Sequence, residues 1–421
     1  MVRLVYSIII AICIPFVLLH LLLRGIRSPE YRSRRLERLG FFKAPEQAQD
    51  FWIHAVSVGE LLAAEPIIRE LQTRYPAKRI TVTTMTPTSS ALVSKLFGDS
   101  VYHVYAPYDF PLFVGAFLKR IRPKFVIIME TELWPNMLHG AQKAGCSVVL
   151  ANARLSERSA RGYKRFLLLL SWLFDSLQLV LCQFKPDAER FERLGISPDR
   201  IRVTGSLKFD MQFDAELAEK GLILREGLDS EQMIWIAAST HEGEDAKVLA
   251  VHQELKQRYP DLLLILVPRH PVRFDSAYRL AHEMGFRVGR YSERESLLPD
   301  EDVYVLDVMG QLMRFYAASD IVFIGGSLTE VGGHNPIEPG ALGKPMLIGP
   351  HYFNFEMICR EFMASSSLSV VQDDADLKVQ LSRLLQDPKM AAELGNAAFD
   401  VVEKGKGAIA RVVDAIAPEL D

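Results

Sequence analysis

Short apolar runs alternate with stretches of helical periodicity from about residue 50 onward, and this alternation constrains the fold more than any other feature of the chain. Such runs, rich in Val, Ile, Leu and Phe, are typical of buried strands. Between two of them, the stretch Leu61–Tyr75 places Leu61, Ile67 and Leu71 on one side of a helix. Strands that alternate with helices form a parallel sheet with right-handed crossovers. The sequence therefore predicts an α/β fold.

The strands fall into two series, separated by the polar and charged stretch Phe209–Gln232. The predicted strands are Phe51–Val56, Ile80–Thr84, Phe125–Met129, Ser147–Ala151, Leu179–Gln183 and Ile201–Thr204 in the first series, and Met233–Ala238, Leu262–Val267, Val303–Leu306, Ile321–Ile324, Pro345–Ile348 and Leu368–Val371 in the second. We therefore predict two doubly wound, Rossmann-like domains, over residues 27–214 and 215–421. Ligands of such folds bind at the carboxyl ends of the strands, so we expect them in the crevice between the two halves.

An uncharged segment, Leu4–Leu23, precedes both series and is about as long as a helix that spans the bilayer hydrocarbon. Arg3 is the only charged residue before it. Two acidic residues and a larger basic cluster follow it: Glu30 and Glu37, against Arg24, Arg27, Arg32, Arg34, Arg35, Arg38 and Lys43. The positive-inside rule then places the rest of the chain in the cytoplasm. A cleaved signal peptide is the alternative, but neither its charged N-terminal region nor its small-x-small cleavage site is evident. We predict a single-pass anchor over residues 1–26, whose basic flank can also contact anionic lipid headgroups.

Composition and motifs exclude several classes of function. The formal net charge of −3, with no strongly basic domain, gives no case for a nucleic-acid partner. The four cysteines form no CxxC pair, so a disulfide framework or a structural zinc site is not expected. Neither half contains a G-x-G-x-x-G or a Walker-type G-x-x-x-x-G-K-[ST] motif, which disfavours an ordinary dinucleotide or ATP site.

Three acidic or basic residues of the first half follow predicted strands and are candidates for chemistry. Glu60 comes at a helix start, where it can simply complement the helix dipole; a role as a base would require desolvation or a nearby acid to offset the effect of the helix N-terminus. Glu130 and Glu132 are separated by one residue, so they share one side of an extended chain. Lys208 follows a glycine turn where the first half ends and could neutralise a phosphate.

The second half carries its polar residues in three loops after strands. Pro268–Pro271 has a backbone fixed by two prolines, and Met309–Gln311 follows the next strand. The densest stretch is Gly325–Gly340, in which glycines and polar residues lead into a helix with Pro336 at an early position. Unpaired backbone N–H groups there are expected to bind phosphate, and Glu338 to reach a ribose beside it.

Together these segments resemble the 3-deoxy-D-manno-octulosonate (Kdo) transferases of lipopolysaccharide inner-core biosynthesis, over nearly the full chain. The resemblance is carried by His54–Glu60, Glu130–Asn136, Gly205–Asp210, Pro268–His270 and Gly325–Gly340. It implies the glycosyltransferase-B architecture, in which two Rossmann-like domains face each other across a cleft behind one transmembrane helix. It also implies transfer of Kdo from CMP-Kdo onto the lipid A precursor (lipid IVA), with inversion at the anomeric carbon, on the cytoplasmic face of the inner membrane.

The same resemblance implies roles for individual residues. Glu60 matches the position of the catalytic base, and Glu130 and Lys208 match residues that stabilise the transition state. The implied nucleotide site of the second domain comprises Pro268, Arg269, Met309, Gly310, Gln311, Asn335, Pro336, Ile337 and Glu338. No metal or other cofactor is expected, because a helix N-terminus and a lysine can neutralise the departing CMP and no DxD-like motif occupies a crevice loop.

The sequence departs from the expected family pattern at two positions and leaves two other functions open. Gln311 stands where a glutamate is expected, and Ser206 stands where an asparagine is expected; both can still form hydrogen bonds. Another membrane-anchored, lipid-linked glycosyltransferase that uses a UDP-sugar donor is the enzymatic alternative. A membrane-anchored scaffold that has lost catalysis is the other, and the joint presence of the candidate residues argues against it.

Overall fold

Each series of strands forms one parallel sheet of seven strands in the computed structural model, which describes residues 2–165, 167–211, 215–226, 228 and 232–419. The residues up to Asp210, with those from Gly407 onward, form one compact unit. Those from Met211 to Lys406 form the second. The predicted α/β class with two Rossmann-like halves is confirmed.

The strands of the first unit are β1 (Phe51–His54), β2 (Ile80–Thr84), β3 (Tyr102–Tyr105), β4 (Phe125–Met129), β5 (Ser147–Ala153), β6 (Leu179–Cys182) and β7 (Ile201–Val203). Their order in the sheet is β3-β2-β1-β4-β5-β6-β7. Phe51 lies opposite Ile80 on one side and Phe125 on the other, so β1 is an inner strand. All residues of β1, β2 and β4 are buried, as expected for a parallel sheet that is covered on both faces.

The helices that cover the first sheet come between its strands. Those described up to the end of the sheet are α1 (Val2–Arg27), α2 (Val58–Arg74), α3 (Pro87–Phe97), α4 (Pro111–Ile121), α5 (Pro135–Lys143), α6 (Glu157–Arg165), α7 (Leu167–Asp175) and α8 (Lys185–Arg193). The predicted helix over 61–75 is confirmed as α2, which begins at Val58 because the side chain of Ser57 caps it.

Helix α1 contains a stretch, Arg3–Ile26, that is long enough and apolar enough to cross a membrane. Most of its large apolar side chains are exposed; Ile12 is 63% exposed and Phe16 is 68% exposed. Its first turns nevertheless contact α5, because the Ser7 hydroxyl donates a hydrogen bond to Asn136 Oδ1 at 3.0 Å. An apolar helix of the predicted kind is therefore present at the start of the chain.

The strands of the second unit are β8 (Ile234–Thr240), β9 (Leu263–Pro268), β10 (Val288–Arg290), β11 (Val303–Val305), β12 (Ile321–Ile324), β13 (Met346–Ile348) and β14 (Leu368–Val370). Their order is β10-β11-β9-β8-β12-β13-β14. The accompanying helices are α9 (Ala215–Glu226), α10 (Glu244–Lys256), α11 (Phe274–Glu283), α12 (Leu312–Ala318), α13 (Ile337–Ala341), α14 (Glu356–Ala364), α15 (Asp374–Gln386) and α16 (Pro388–Gly405). Strands β3 and β10 were not predicted, and each forms an edge of its sheet.

The C-terminal end of the chain corrects the predicted extent of the second domain. Helix α17 (Ala408–Ile416) belongs to the first unit, although the sequence assigned residues up to 421 to the second. The Asp210 carboxylate accepts hydrogen bonds from the backbone N–H groups of Gly407 at 2.5 Å and Ile409 at 2.6 Å. These bonds satisfy donors at the start of α17 and hold it against the first unit. The predicted boundary at residues 214/215 adjoins residues 212–214, which lie outside the described residues.

Candidate functional site

The three catalytic candidates of the first unit lie in loops or helix starts that follow strands of its sheet. Glu60 comes after β1, Glu130 after β4 and Lys208 after β7. The charge of Glu130 acts on the pKa of Glu60 and also on that of Lys208. The structure therefore brings these three predicted residues into one electrostatic group.

Glu60 is held by the turn that precedes its own helix. The Ser57 hydroxyl accepts a hydrogen bond from the Glu60 backbone N–H at 3.2 Å and donates one to its carboxylate at 2.8 Å. The other carboxylate oxygen accepts from the Val56 backbone N–H at 2.9 Å. This arrangement resembles a capping box, in which an acid in the first turn and the N-cap hydroxyl satisfy each other. Glu60 therefore has the helix-start role that the sequence offered as the alternative, and its side chain is fixed in one orientation.

Burial and two neighbouring carboxylates determine the electrostatic environment of Glu60. Burial raises the pKa of Glu60 to about 7, against the hydrogen bonds from Val56 and Ser57, which lower it. The negative charges of Glu132 and Glu130 raise it further. A catalytic role at a helix start requires desolvation or a nearby acid, and both are present at Glu60. A carboxyl with a pKa near neutrality is an effective proton acceptor at physiological pH.

Glu130 has an unusual backbone conformation. Its φ of +58° lies in the left-handed region, which a residue with a side chain adopts only when the surroundings impose it. Its backbone N–H donates to the Ala151 carbonyl at 2.9 Å, which continues the pairing of β4 with β5. The loop that follows is braced by the indole N–H of Trp134, which donates to the Glu132 carboxylate at 2.7 Å. The sheet edge thus turns sharply at Glu130 and fixes its position.

Lys208 lies close to a second cation that the sequence analysis did not select. The protein that surrounds the Lys208 ammonium lowers its pKa, the positive charge of Arg154 lowers it further, and Glu130 opposes both effects. Arg154 directly follows β5, which is a neighbour of β4 in the sheet. Its position after a strand, in the run Asn152-Ala153-Arg154, was the signal that could have identified it.

In the second unit, the structure brings together Asn335, Glu338 and Arg269. The Asn335 side chain accepts a hydrogen bond from the Ile337 backbone N–H at 3.1 Å and donates one to the Glu338 carboxylate at 3.2 Å. Burial raises the pKa of Glu338, while the bond from Asn335 and the charge of Arg269 lower it. Glu338 is the second residue of α13, as predicted. Pro336 lies just before this helix rather than inside it, because α13 begins at Ile337 and has only five residues.

The remaining predicted nucleotide residues are placed by two other strand ends. Pro268 is the last residue of β9 and pairs with Thr240, whose carbonyl accepts the Arg269 backbone N–H at 3.0 Å. Met309 is 57% exposed, and Gly310, with a φ of +85°, allows the turn into α12 that follows Gln311. Within the described part of the chain, no hydrogen bond or ion pair joins residues 309–311 to the other predicted nucleotide residues.

The glycine-rich loop is occupied in a way that the sequence did not predict. The Glu244 side chain, which is fully buried, accepts hydrogen bonds from the backbone N–H groups of Gly326 at 2.6 Å, Ser327 at 2.9 Å and Leu328 at 2.8 Å. These three N–H groups are therefore not free for a phosphate, which corrects the expectation of an anion site in this part of the loop. Glu244 comes four residues after β8, and its place in the first turn of α10 was the signal available in the sequence.

The residues that the structure describes contain no group of three or more His, Cys, Asp or Glu side chains arranged to hold a metal ion.

Two Rossmann-like units, each built on a parallel sheet of seven strands, form a fold of the GT-B type. Solved structures with this fold include a glycosyltransferase from Rickettsia africae, 14% identical, with a TM-score of 0.58 over 89% of this chain and 99% of that chain. A UDP-GlcNAc 2-epimerase from Neisseria meningitidis, bound to UDP-GlcNAc, is 13% identical with a TM-score of 0.59 over 87% of this chain and 100% of its own. A model for group 1 glycosyl transferases matches residues 234–401.

The particular family follows from closer relatives. A family model described as 3-deoxy-D-manno-octulosonic-acid transferase matches residues 33–211. A 3-deoxy-D-manno-octulosonic acid transferase from Haemophilus influenzae is 41% identical over 100% of this chain and 99% of its own length. One from Bordetella pertussis is 32% identical over 92% of this chain and 91% of its own. The chain belongs to the Kdo transferase family, as the sequence motifs indicated.

Proposed function

We propose that this Kdo transferase moves Kdo from CMP-Kdo onto the lipid A precursor lipid IVA, with inversion at the anomeric carbon. The observation that carries the proposal is Glu60, a buried carboxyl that is fixed by Val56 and Ser57 and has a pKa of about 7. An inverting transfer needs one base and no covalent enzyme intermediate. Glu60 meets that requirement, since it ionises near neutral pH, becomes fully ionised above it and is still basic enough to take a hydroxyl proton.

In the proposed reaction, the first unit activates the acceptor. The Glu60 carboxylate takes the proton of an acceptor hydroxyl while the hydroxyl oxygen attacks C2 of Kdo. The bond between C2 and the phosphate oxygen breaks, its electron pair leaves with the phosphate, and CMP departs. Lys208 supplies positive charge to the phosphate as it leaves, and Glu130 stabilises the positive charge that develops on the sugar.

The second unit holds the donor in this proposal. Glu338 binds the ribose hydroxyl groups through its carboxylate, which Asn335 already orients at 3.2 Å. Arg269 compensates the charge of Glu338 and faces the nucleotide phosphate. Pro268, Met309, Gly310, Gln311, Pro336 and Ile337 complete the proposed nucleotide site. No step requires a metal ion, so a chelator is expected to leave turnover unchanged.

The membrane location is also part of the proposal. We place α1 across the inner membrane in a single pass, with both catalytic units on the cytoplasmic face. A crossing helix carries its first turns away from α5 and loses the Ser7–Asn136 hydrogen bond, which contributes about 0.5–1.5 kcal/mol. Each large apolar side chain that enters lipid gains about 1.5–3 kcal/mol. Those exposed on α1 are Leu4, Val5, Ile8, Ile9, Ile12, Phe16, Val17, Leu19, Leu22, Leu23 and Ile26.

Mass spectrometry of the lipid product tests the proposed reaction directly. The purified protein is incubated with lipid IVA and either CMP-Kdo or UDP-N-acetylglucosamine, with and without a chelator. We expect a Kdo-bearing lipid with CMP-Kdo only, in equal yield with the chelator. A product from UDP-N-acetylglucosamine would identify the other class of lipid-linked transferase, and no product from either donor would support the scaffold alternative.

A reporter fused to the N-terminus tests the orientation. A single pass places that reporter in the periplasm, while a reporter at the C-terminus stays in the cytoplasm. If both reporters were cytoplasmic, α1 would lie on the membrane surface with its contact to Asn136 intact.

A further inference from the structure

Three histidines from three loops converge at the carboxyl edge of the second sheet. His241 directly follows β8, His270 comes two residues after β9, and His334 lies in the glycine-rich loop after β12. Because β9, β8 and β12 are neighbours in the sheet, the loops after them end close together. His241 Nε2 and His334 Nε2 are 2.9 Å apart and the planes of the two rings differ by 13°, while the His270 ring stands perpendicular to that of His241 with centroids 5.2 Å apart.

The backbone around this histidine cluster (His241, His270 and His334) is fixed without a ligand. The His241 backbone N–H donates to the Glu244 carboxylate at 2.8 Å, and the same carboxylate binds the glycine-rich loop. Gly326 lies directly against the rings of His241 and His334. A Cβ at that position would be 3.0 Å from His334 Cδ2 and 3.2 Å from His241 Cδ2. With a φ of +66°, Gly326 allows the loop to pass this close to the pair.

The hydrogen bond between the rings determines their protonation. One Nε2 must donate and the other must accept, so the pair cannot carry two protons on these nitrogens. Burial lowers the pKa of His334 to about 4, helped by the charges of His241, Arg269 and His270. Burial also lowers the pKa of His241, with Glu244 opposing and His270, Arg273 and Arg269 assisting. The pair is therefore neutral near pH 7 and presents a neutral N–H donor.

The histidine cluster also lies beside the proposed nucleotide site. Arg269 acts electrostatically on His334 and on Glu338, so its guanidinium connects the two places. The nearby Arg273 is already committed to Asp245 and to the Thr240 carbonyl. Glu244 is likewise committed to backbone N–H groups. The imidazoles of the histidine cluster are bound to neither of these two side chains, so they can contact a further part of the donor.

We propose that His241, His270 and His334 form the subsite that binds the C1 carboxylate of the donor sugar. The inference rests on the proposed function, since it takes the donor to be CMP-Kdo. The carboxylate of Kdo is attached to C2, the carbon at which positive charge develops during transfer. The neutral pair of His241 and His334 orients that carboxylate without cancelling its negative charge, so the carboxylate can still stabilise the transition state. A sugar without a carboxylate would leave the cluster unpaired.

The test separates sugar recognition from nucleotide recognition. His270→Gln removes an exposed member of the cluster and leaves the hydrogen bond between His241 and His334 intact, while His334→Gln breaks that bond. The control is His282→Gln, at an exposed position of α11. The KM for CMP-Kdo is measured by turnover, and the Kd for CMP by calorimetry. We expect the KM to rise by about ten- to a hundredfold in both cluster variants, as for a lost hydrogen bond to a charged group, with the Kd for CMP changed less than about threefold.

Each other outcome has its own meaning. An equal rise in the KM for CMP-Kdo and the Kd for CMP would assign the cluster to the nucleotide phosphate and overturn the proposal. An unchanged KM in His270→Gln and His334→Gln would also overturn it. His270→Gln keeps the test valid if His334→Gln does not fold, because it leaves the bond between the rings in place. A wild-type protein that binds CMP but does not turn over CMP-Kdo would contradict the proposed function itself, not the subsite alone.

Discussion

The two units place a buried glutamate at the same topological position and use it differently. Glu60 lies in the first turn of α2, after the first strand of its sheet, and Glu244 lies in the first turn of α10, after the first strand of the other. Glu60 accepts hydrogen bonds from one backbone N–H and one hydroxyl. Glu244 accepts from four backbone N–H groups: those of His241, Gly326, Ser327 and Leu328.

The number and kind of donors decide what such a carboxylate can do. Both carboxylate oxygens of Glu244 accept hydrogen bonds from backbone N–H groups, so this residue connects the ends of β8 and β12. Glu60 has fewer donors; burial raises its pKa, the charges of Glu132 and Glu130 raise it further, and it remains able to take a proton. The fold therefore contains the same position twice; we propose that the surrounding loops make its glutamate a base in the first unit, and in the second unit the glutamate holds the glycine-rich loop.

The largest effect is expected from Glu60→Gln, which removes the proposed base while keeping the shape of the side chain. General-base catalysis contributes about 10²–10⁴-fold, so kcat should fall by that factor with the Kd for CMP unchanged. Glu70→Gln, on the same helix in an exposed ion pair with Arg74, is the matched control and should retain activity. Wild-type turnover in Glu60→Gln would remove this residue from the chemistry.

Glu244→Gln should instead destabilise the second unit. Glutamine offers one accepting oxygen, so two buried N–H groups lose their partner at about 1–3 kcal/mol each, or about 2–6 kcal/mol in all. Urea unfolding followed by circular dichroism measures the loss of unfolding free energy, with the exposed neighbour Glu242→Gln as the control. If Glu244→Gln were as stable as the control, the proposed distinction between Glu244 and Glu60 would not hold.

Glu338→Ala should affect the donor and spare the acceptor. Loss of a hydrogen bond to a charged group reduces affinity by about ten- to a hundredfold, and calorimetry with CMP detects this. The exposed Glu393→Ala is the control. Unchanged CMP affinity in a folded Glu338→Ala protein would exclude this residue from the nucleotide site.

The smallest effect on CMP binding and turnover is expected from removing α1. This helix precedes every candidate catalytic residue and belongs to the first unit, whereas the proposed nucleotide site lies in the second. A chain that starts at Arg27 should fold, bind CMP with unchanged affinity and use detergent-dispersed acceptor. Its residual binding to anionic vesicles should weaken at high salt, since the basic flank acts through screened charge. Weaker CMP binding in the shortened chain would show that α1 supports more than the membrane attachment.

The sequence predicted the inner strands of both sheets because these strands are buried on both faces and appear as continuous apolar runs. It also predicted the edge strands β7 and β14, but it missed the edge strands β3 and β10. The sequences of these two, Tyr-His-Val-Tyr and Val-Gly-Arg, contain polar residues or glycine and do not form a continuous apolar run. The sequence also did not predict that α17 belongs to the first unit, because this depends on the contact of Asp210 with residues distant in the chain.

For the candidate site, motifs after strands identified most of the relevant residues but not the balance of forces on them. The raised pKa of Glu60 depends on its burial and on the charges of Glu132 and Glu130, and no local sequence pattern gives the number of hydrogen-bond donors that a carboxylate contacts. For the same reason the role of Glu244 was not predicted. The sequence of the glycine-rich loop is typical of an anion site, and only the structure shows that Glu244 already accepts hydrogen bonds from its N–H groups.

The pH dependence of kcat/KM, compared between the wild type, Glu60→Gln and Glu130→Gln, tests the central claim most directly. Because the raised pKa of Glu60 is about 7, the base becomes protonated as pH falls through that value, and wild-type activity should decline below it. The residual activity of Glu60→Gln should lack this acidic limb, while that of Glu130→Gln should retain it. If the limb persisted in Glu60→Gln and disappeared in Glu130→Gln, Glu130 would be the base and the assignment made here would be wrong.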